Sequence, residues 1–243
     1  DVEKKVIIWN ITKNYKIKKK IKTKYLNDIY FLLAFPQNNI DNFLVTSSEC
    51  TSKDKEESST IIYPLDNLEN KKYIEQTNKM EIIYLLLWNN LVNQKYYIIQ
   101  FSTNKILINN LINGELYSEL ENQNAKKIIC GFIYNRNYKD YLCSSSQGGL
   151  IIIWDLLKKR LFKIIEIDSP LMYIIPWNDK YIIVADYKNR SFKIIDMEQE
   201  KVISEKKGCH KKEIKCIKKI KHPKYGESLL TAARDQIIKL WII

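Results

Sequence analysis

Short apolar segments recur along the whole chain, separated by clusters of Asn, Asp, Gly, Ser and Lys. Some alternate apolar with polar at period two. Tyr15 to Ile21 (YKIKKKI) and Glu213 to Ile220 do so, and each reads as a strand with one face in water. Others are nearly continuous. Leu150 to Asp155 (LIIIWD), Ile182 to Ala185 and Glu81 to Trp88 (EIIYLLLW) are short, apolar runs that read as strands. A third kind is built of small residues: Phe43 to Ser48, Leu142 to Ser146 and Leu229 to Ala233. No long segment carries clean helical periodicity, so the expected class is all-β. Turn chemistry supports it, with Asn113-Gly114 the strongest hairpin signal in the chain. Glu49 to Ser59 (ECTSKDKEESS) is polar, charged and free of large apolar residues, and is expected to be a disordered loop insertion whose serines could accept phosphate.

The strands fall into a repeat. Residues at one place in successive units are Trp9, Leu65, Asn109, Trp154, Ile195 and Trp241, separated by 56, 44, 45, 41 and 46 positions. The long first interval contains the Glu49–Ser59 insertion. A β-sandwich would leave this regular interval accidental. The last unit carries the fullest pattern: Gly208, His210 after an inserted Cys209, Thr231 in the small-residue strand, Asp235 in the turn, and Trp241. Leu142 to Ser146 followed by Trp154-Asp155 is a second, partial match, with Gly148 where the turn Asp would stand. These residues resemble the WD40 repeat. The resemblance implies an all-β, WD40-like β-propeller of about five to six four-stranded blades in this piece. It also implies one domain over residues 1–243: a half blade at 1–21, blades at 22–78, 79–122, 123–168 and 169–207, and a three-stranded partial blade at 208–243. The strand count fits a piece of a seven-bladed ring, or a five-bladed ring closed by the Trp9 strand. The family pattern further implies a structural network of His210, Thr231, Asp235 and Trp241, and a shorter pair, Ser144 with Trp154. A closing Asp is lacking at Ile242.

Charge and chemistry narrow the function. The formal net charge is +12, which admits an acidic partner, an anionic membrane or nucleic acid. The lysines are scattered over all the repeats, as biased composition alone would place them. The densest basic run, Lys206, Lys207, Lys211, Lys212, Lys215, Lys218, Lys219, Lys221 and Lys224, is split by strand alternation, and only Tyr225 stands beside it for base stacking. No Gly-x-Gly-x-x-Gly, Walker loop, Gly-x-Ser-x-Gly or His-Glu-x-x-His occurs. Cys209, His210, Cys216 and His222 lack paired-ligand spacing. The expectation is therefore no catalysis, no cofactor and no metal.

The 5 cysteines form no disulfide framework, and no apolar run is long enough to span a bilayer. An intracellular protein, cytoplasmic or nuclear, is expected. The chain opens inside a repeat and reads as a piece excised from a longer one. Resemblance to WD40 proteins implies a scaffold that binds other proteins or peptides; the competing reading is a basic propeller for anionic lipid or nucleic acid. Candidate partner-binding residues are the turn residues Lys188, Asn189, Arg190 and Arg234, since Arg is favoured at interface hot spots. Trp88 and Trp177 are expected in the core or between blades.

Overall fold

The computed structural model describes residues 5–10, 16–22, 28–35, 43–52, 55–64, 72–74, 82–103 and 105–243, with side-chain environments for Val45, for 60–63 and from Ile82 onward. Two compact units are present, Asp1–Ile82 and Ile83–Ile243, where one continuous domain was expected. The described residues contain no helix, so none is long and apolar enough to cross a membrane.

In the first unit, β1 (Lys5–Asn10) pairs with β2 (Lys16–Lys22), and β3 (Asp28–Phe35), β4 (Phe43–Ser52), β5 (Lys55–Pro64) and β6 (Lys72–Ile74) form a four-stranded sheet in chain order. The expected loop at 49–59 is corrected here. β4 and β5 stay in register from Phe43↔Pro64 to Ser52↔Lys55, so most of that stretch is a paired hairpin. Backbone pairing makes a strand without apolar side chains, which is why a polarity argument misses it. Pro64 ends β5, where its missing N–H costs the ladder nothing. The expected marker pair Leu65-Asp66 lies outside the described residues.

The second unit is a run of four β-propeller blades, three of four strands and the last of three. Blade one holds β7 (Tyr84–Asn90), β8 (Lys95–Phe101), β9 (Lys105–Asn110) and β10 (Leu116–Glu121). Blade two holds β11 (Ile128–Arg136), β12 (Lys139–Ser146), β13 (Leu150–Asp155) and β14 (Arg160–Glu166). Blade three holds β15 (Leu171–Pro176), β16 (Tyr181–Asp186), β17 (Ser191–Asp196) and β18 (Lys201–Lys206), and blade four holds β19 (Ile214–His222), β20 (Gly226–Ala233) and β21 (Ile238–Ile242). All are antiparallel. First strands of successive blades approach one another, β7 to β11, β11 to β15 and β15 to β19, and so lie innermost. The small-residue strands are second in each sheet.

Period-two alternation feeds two interfaces at once. In β13, Ile152 and Trp154 join a core with Trp88, Tyr97, Phe101 and Leu120 of blade one. Ile151 and Ile153 point the other way, to Leu171, Ile174, Ile182 and Val184 of blade three. Likewise Ile183, Ala185 and Phe192 meet Cys209, Ile214, Ile217 and Leu229 of blade four. The near-continuous apolar runs follow from this double duty. Blade four presents Ile238 (71% exposed), Leu240 (39%) and Ile242 (65%) on its outer face.

A bulge repeats with the sequence. In four third–fourth strand pairs the fourth strand carries one extra residue beside the marker position: Lys18 near Trp9, Tyr117 near Asn109, Phe162 near Trp154 and Ile203 near Ile195. A bulge strengthens local twist, which each blade needs towards its rim.

Turns repeat as well. Short connections, of four residues or, after Asn110, five, open on Asn90, Asn110, Asp155, Asp186 or Asp196, whose side chains accept from backbone N–H groups two or three residues on. Their fourth residue has positive φ: Gln94, Gly114, Lys159, Arg190 and Glu200. The Asn113-Gly114 turn is thus the end of a longer loop begun at Asn110.

Gly131 in β11 marks a close approach. A Cβ there would sit 2.4 Å from the Cys143 carbonyl oxygen and 3.0 Å from the Phe101 ring of blade one. Gly131→Ala is expected to destabilise the unit by about 1–3 kcal/mol through overpacking, read from denaturant unfolding midpoints.

Candidate functional site

Blade four brings its four signature residues together. His210 Nδ1 lies 3.1 and 3.2 Å from the two Asp235 oxygens, and Nε2 lies 2.7 Å from Thr231 Oγ1. Trp241 Nε1 donates to the same Thr231 oxygen at 2.9 Å. With the ring hydrogen on Nδ1 every donor finds an acceptor: indole to hydroxyl, hydroxyl to imidazole, imidazole to carboxylate. Thr231 is fully buried and His210 nearly so, hence each of these bonds matters. Burial pushes the Asp235 carboxyl upward, but donation from Lys211 N–H, His210 and Ile237 N–H outweighs it and holds the group below its ordinary value. Blade two has the short form. Trp154 Nε1 donates to Ser144 Oγ at 3.0 Å, and that hydroxyl donates to the Ile152 carbonyl at 3.2 Å.

The network shapes a surface. Asp235 accepts from Lys211 N–H at 2.8 Å, which fixes the loop between β18 and β19. Across from it is the β16–β17 turn, residues 187–190. The two are stapled at Arg190. Its carbonyl accepts from Cys209 Sγ at 3.0 Å and its guanidinium Nη1 donates to the Lys211 carbonyl at 2.9 Å. Burial raises the Cys209 thiol, which keeps it protonated as the donor. Between the loops lies an open cleft of 520 Å³, with Pro170 and Tyr187 beside Lys188, Arg190, Lys211, Lys212 and Glu213. The lining thus carries four cationic side chains and one carboxylate. Glu213 is further offset by Arg234, 3.8 Å away.

The four candidate contact residues divide accordingly. Lys188 and Arg190 line the cleft. Asn189 instead caps its own turn, donating from N and Nδ2 to Asp186 at 3.0 and 2.8 Å. Arg234 flanks the cleft through Glu213. Lys211, Lys212 and Tyr187 complete the lining and were not singled out as contacts; a basic residue directly after the network His was the available signal. Lys219, from the same basic run, lies far off. It pairs with Glu227 at 2.7 Å and bonds the Trp177 carbonyl.

A second concavity, of 530 Å³, opens among the loops at the other ends of these blades, around Phe132, Tyr134, Phe162 and Trp177. Its rim cations are matched: Arg136 with Glu198 at 3.7 Å and Lys180 with Asp196 at 3.3 Å. Trp88 donates to Asp140 of blade two at 2.9 Å, an interblade contact. Among the described residues no group of His, Cys, Asp and Glu is placed to hold a metal ion.

No family model and no curated protein matches the chain. Among solved structures, the crystal structure of the computationally designed Ika8 protein is similar, with a TM-score of 0.59 at 11% identity over 86% of this chain. The chain spans 57% of that protein's length. At such identity the likeness carries the fold alone. Fold and site together define a β-propeller with a preformed basic cleft between two blades.

Proposed function

We propose that the chain is a WD40-type propeller acting as a non-catalytic scaffold, which presents the loop face of blades three and four to a partner protein or peptide. The observation that carries this is the cleft. Two loops from different blades are tied to each other and to the buried His210–Asp235 pair, so the surface needs no ordering before it binds. His210 is the histidine nearest in sequence to the cleft, and its side chain is fully buried between Thr231 and Asp235. That placement suits architecture better than proton transfer to a ligand. Four thiols, Cys130, Cys143, Cys209 and Cys216, are free, which suits a reducing compartment inside the cell.

The test is affinity capture with the chain and with Arg190→Ala/Lys211→Glu, at low and high salt, read by mass spectrometry. A discrete set of proteins retained at high salt by the first and lost by the second is the expected result. Capture of nucleic acid or anionic vesicles alone, vanishing as salt rises, overturns it in favour of a general polyanion surface.

A further inference from the structure

We infer that the cleft between blades three and four binds an acidic peptide segment, one whose Asp and Glu carboxylates are clustered. This rests on the scaffold reading and adds the chemistry of the partner.

Charge balance is the first argument. Among the described residues, Lys188, Arg190, Lys211 and Lys212 form no ion pair, although they gather around one cleft with only Glu213 for company. Some exposed cations elsewhere on the same unit do stand beside acids, as at Lys163–Glu200 (2.5 Å) and Lys180–Asp196 (3.3 Å), and the unpaired ones are not gathered around a cleft with these four. Like charges collected without a counter-charge repel in the free protein, and an anionic ligand relieves them. A cleft concentrates that field further.

Geometry is the second. Arg190 holds a left-handed backbone, φ 52°, at the end of its turn, a conformation that a residue other than Gly adopts at some cost. Its guanidinium is oriented by the Lys211 carbonyl through one nitrogen. The remaining N–H groups are left for a carboxylate, which a guanidinium matches bidentately. Lys211 is held by Asp235 through its own N–H. Pro170 and Tyr187, the latter 39% exposed, give the peptide an apolar floor.

The lining also decides among anions. Single-stranded nucleic acid needs aromatic platforms. Tyr187 is the one aromatic lining residue, and Lys215 Nζ already sits 5.7 Å from its ring centroid. A membrane would call for protruding apolar groups beside the lysines. Tyr187 is the one lining residue among the exposed large hydrophobics.

The test is fluorescence anisotropy with a labelled peptide of alternating Glu and Leu, the same peptide with Gln for Glu, a phosphoserine version, a single-stranded oligonucleotide, and vesicles containing phosphatidylserine. Lys211→Glu/Lys212→Glu is compared with Lys139→Glu, a charge reversal at the exposed start of β12, after circular dichroism has verified folding of both. The Glu peptide is expected to bind, more weakly as salt rises. The cleft variant is expected to lose at least tenfold in affinity, with Lys139→Glu within twofold of the parent chain. Equal losses in the two variants, or tighter binding of the phosphopeptide, the oligonucleotide or the vesicles than of the Glu peptide, overturns the inference. A cellular partner still held by the cleft variant sinks the acidic-peptide inference and leaves the scaffold reading standing. Absence of any partner sinks both.

Discussion

Asp186→Ala is expected to destabilise the second unit by about 3–5 kcal/mol, because it strands a buried ammonium. Asp186 is fully buried at the end of β16, and Lys193 on β17 is 9% exposed at its side chain. Lys193 Nζ donates to Asp186 Oδ2 at 2.8 Å and to Ser169 Oγ at 2.5 Å, with Glu205 more distant at 3.9 Å. Without Asp186 the ammonium keeps a hydroxyl and a remote carboxylate, which do not replace its lost hydration. A loss of that size is a large part of a domain's usual stability of about 5–15 kcal/mol. Removing both charges is milder: Lys193→Met/Asp186→Asn should cost less than Asp186→Ala alone, since it leaves no unpaired ion. Urea unfolding at neutral pH measures both. A cost below about 1 kcal/mol for Asp186→Ala, within the range of an exposed pair, contradicts the buried-pair account.

The acid side supplies an independent readout. Burial raises the Asp186 carboxyl, yet donation from Lys193, Asn189 and Ser169 prevails and sets it below the usual carboxylate value. A group with a depressed folded pKa contributes stability above its unfolded pKa and loses that contribution as pH falls through the folded one. The parent chain and Asp186→Ala should therefore converge in stability as pH drops below about 4. Because Asp186 also caps Asn189, the variant should loosen the turn bearing Arg190 and weaken binding at the cleft.

This pair was hidden in the sequence for a physical reason. Lys193 reads as one more of 40 basic residues, and only the pairing of β16 with β17, with Val184 opposite Lys193 and Asp186 opposite Ser191, brings its ammonium diagonally within reach of Asp186. The same blade lacks the Trp and Thr of its neighbour, so no pattern pointed there. The strands were far more legible. Each second and third strand must satisfy two interfaces, and that demand writes continuous apolar runs such as LIIIWD into the chain. A lone Trp, Ser or Thr inside such a run advertises a partner, which made Ser144, Trp154, Thr231 and Trp241 readable. Paired polar strands give no such sign, hence the misread hairpin of β4 and β5. Half of the cleft was visible as turn residues Lys188 and Arg190. Its other half, Lys211 and Lys212, stood in the densest basic run just after His210, but only the stacking of one blade on the next brings them beside the β16–β17 turn.

Trp154 separates packing from hydrogen bonding in the same kind of network. It is 1% exposed and packs among Leu142, Ile152, Trp88 and Leu120 in the core between blades one and two. Trp154→Ala is expected to cost about 3–5 kcal/mol, through lost burial and the cavity left between two blades that cannot collapse freely. Trp154→Phe keeps most of the apolar contact and deletes the indole N–H. The Ser144 hydroxyl still donates to the Ile152 carbonyl, so no buried donor is orphaned and the hydrogen-bond loss is about 1 kcal/mol. Blade four should respond differently to the same change. Trp241→Phe removes one end of a four-membered chain, and the Thr231 hydroxyl still reaches His210. Its coupling with His210→Ala, in a double-mutant cycle, should exceed the coupling of Trp154→Phe with His210→Ala, which lie in different blades. Thermal unfolding of the parent chain and these six variants decides it. If Trp154→Phe proves as costly as Trp154→Ala, the hydrogen bond to Ser144 within blade two, rather than the volume packed against blade one, carries the contribution of Trp154. A cycle with no extra coupling in blade four means that His210, Thr231 and Trp241 act as neighbours and not as a network.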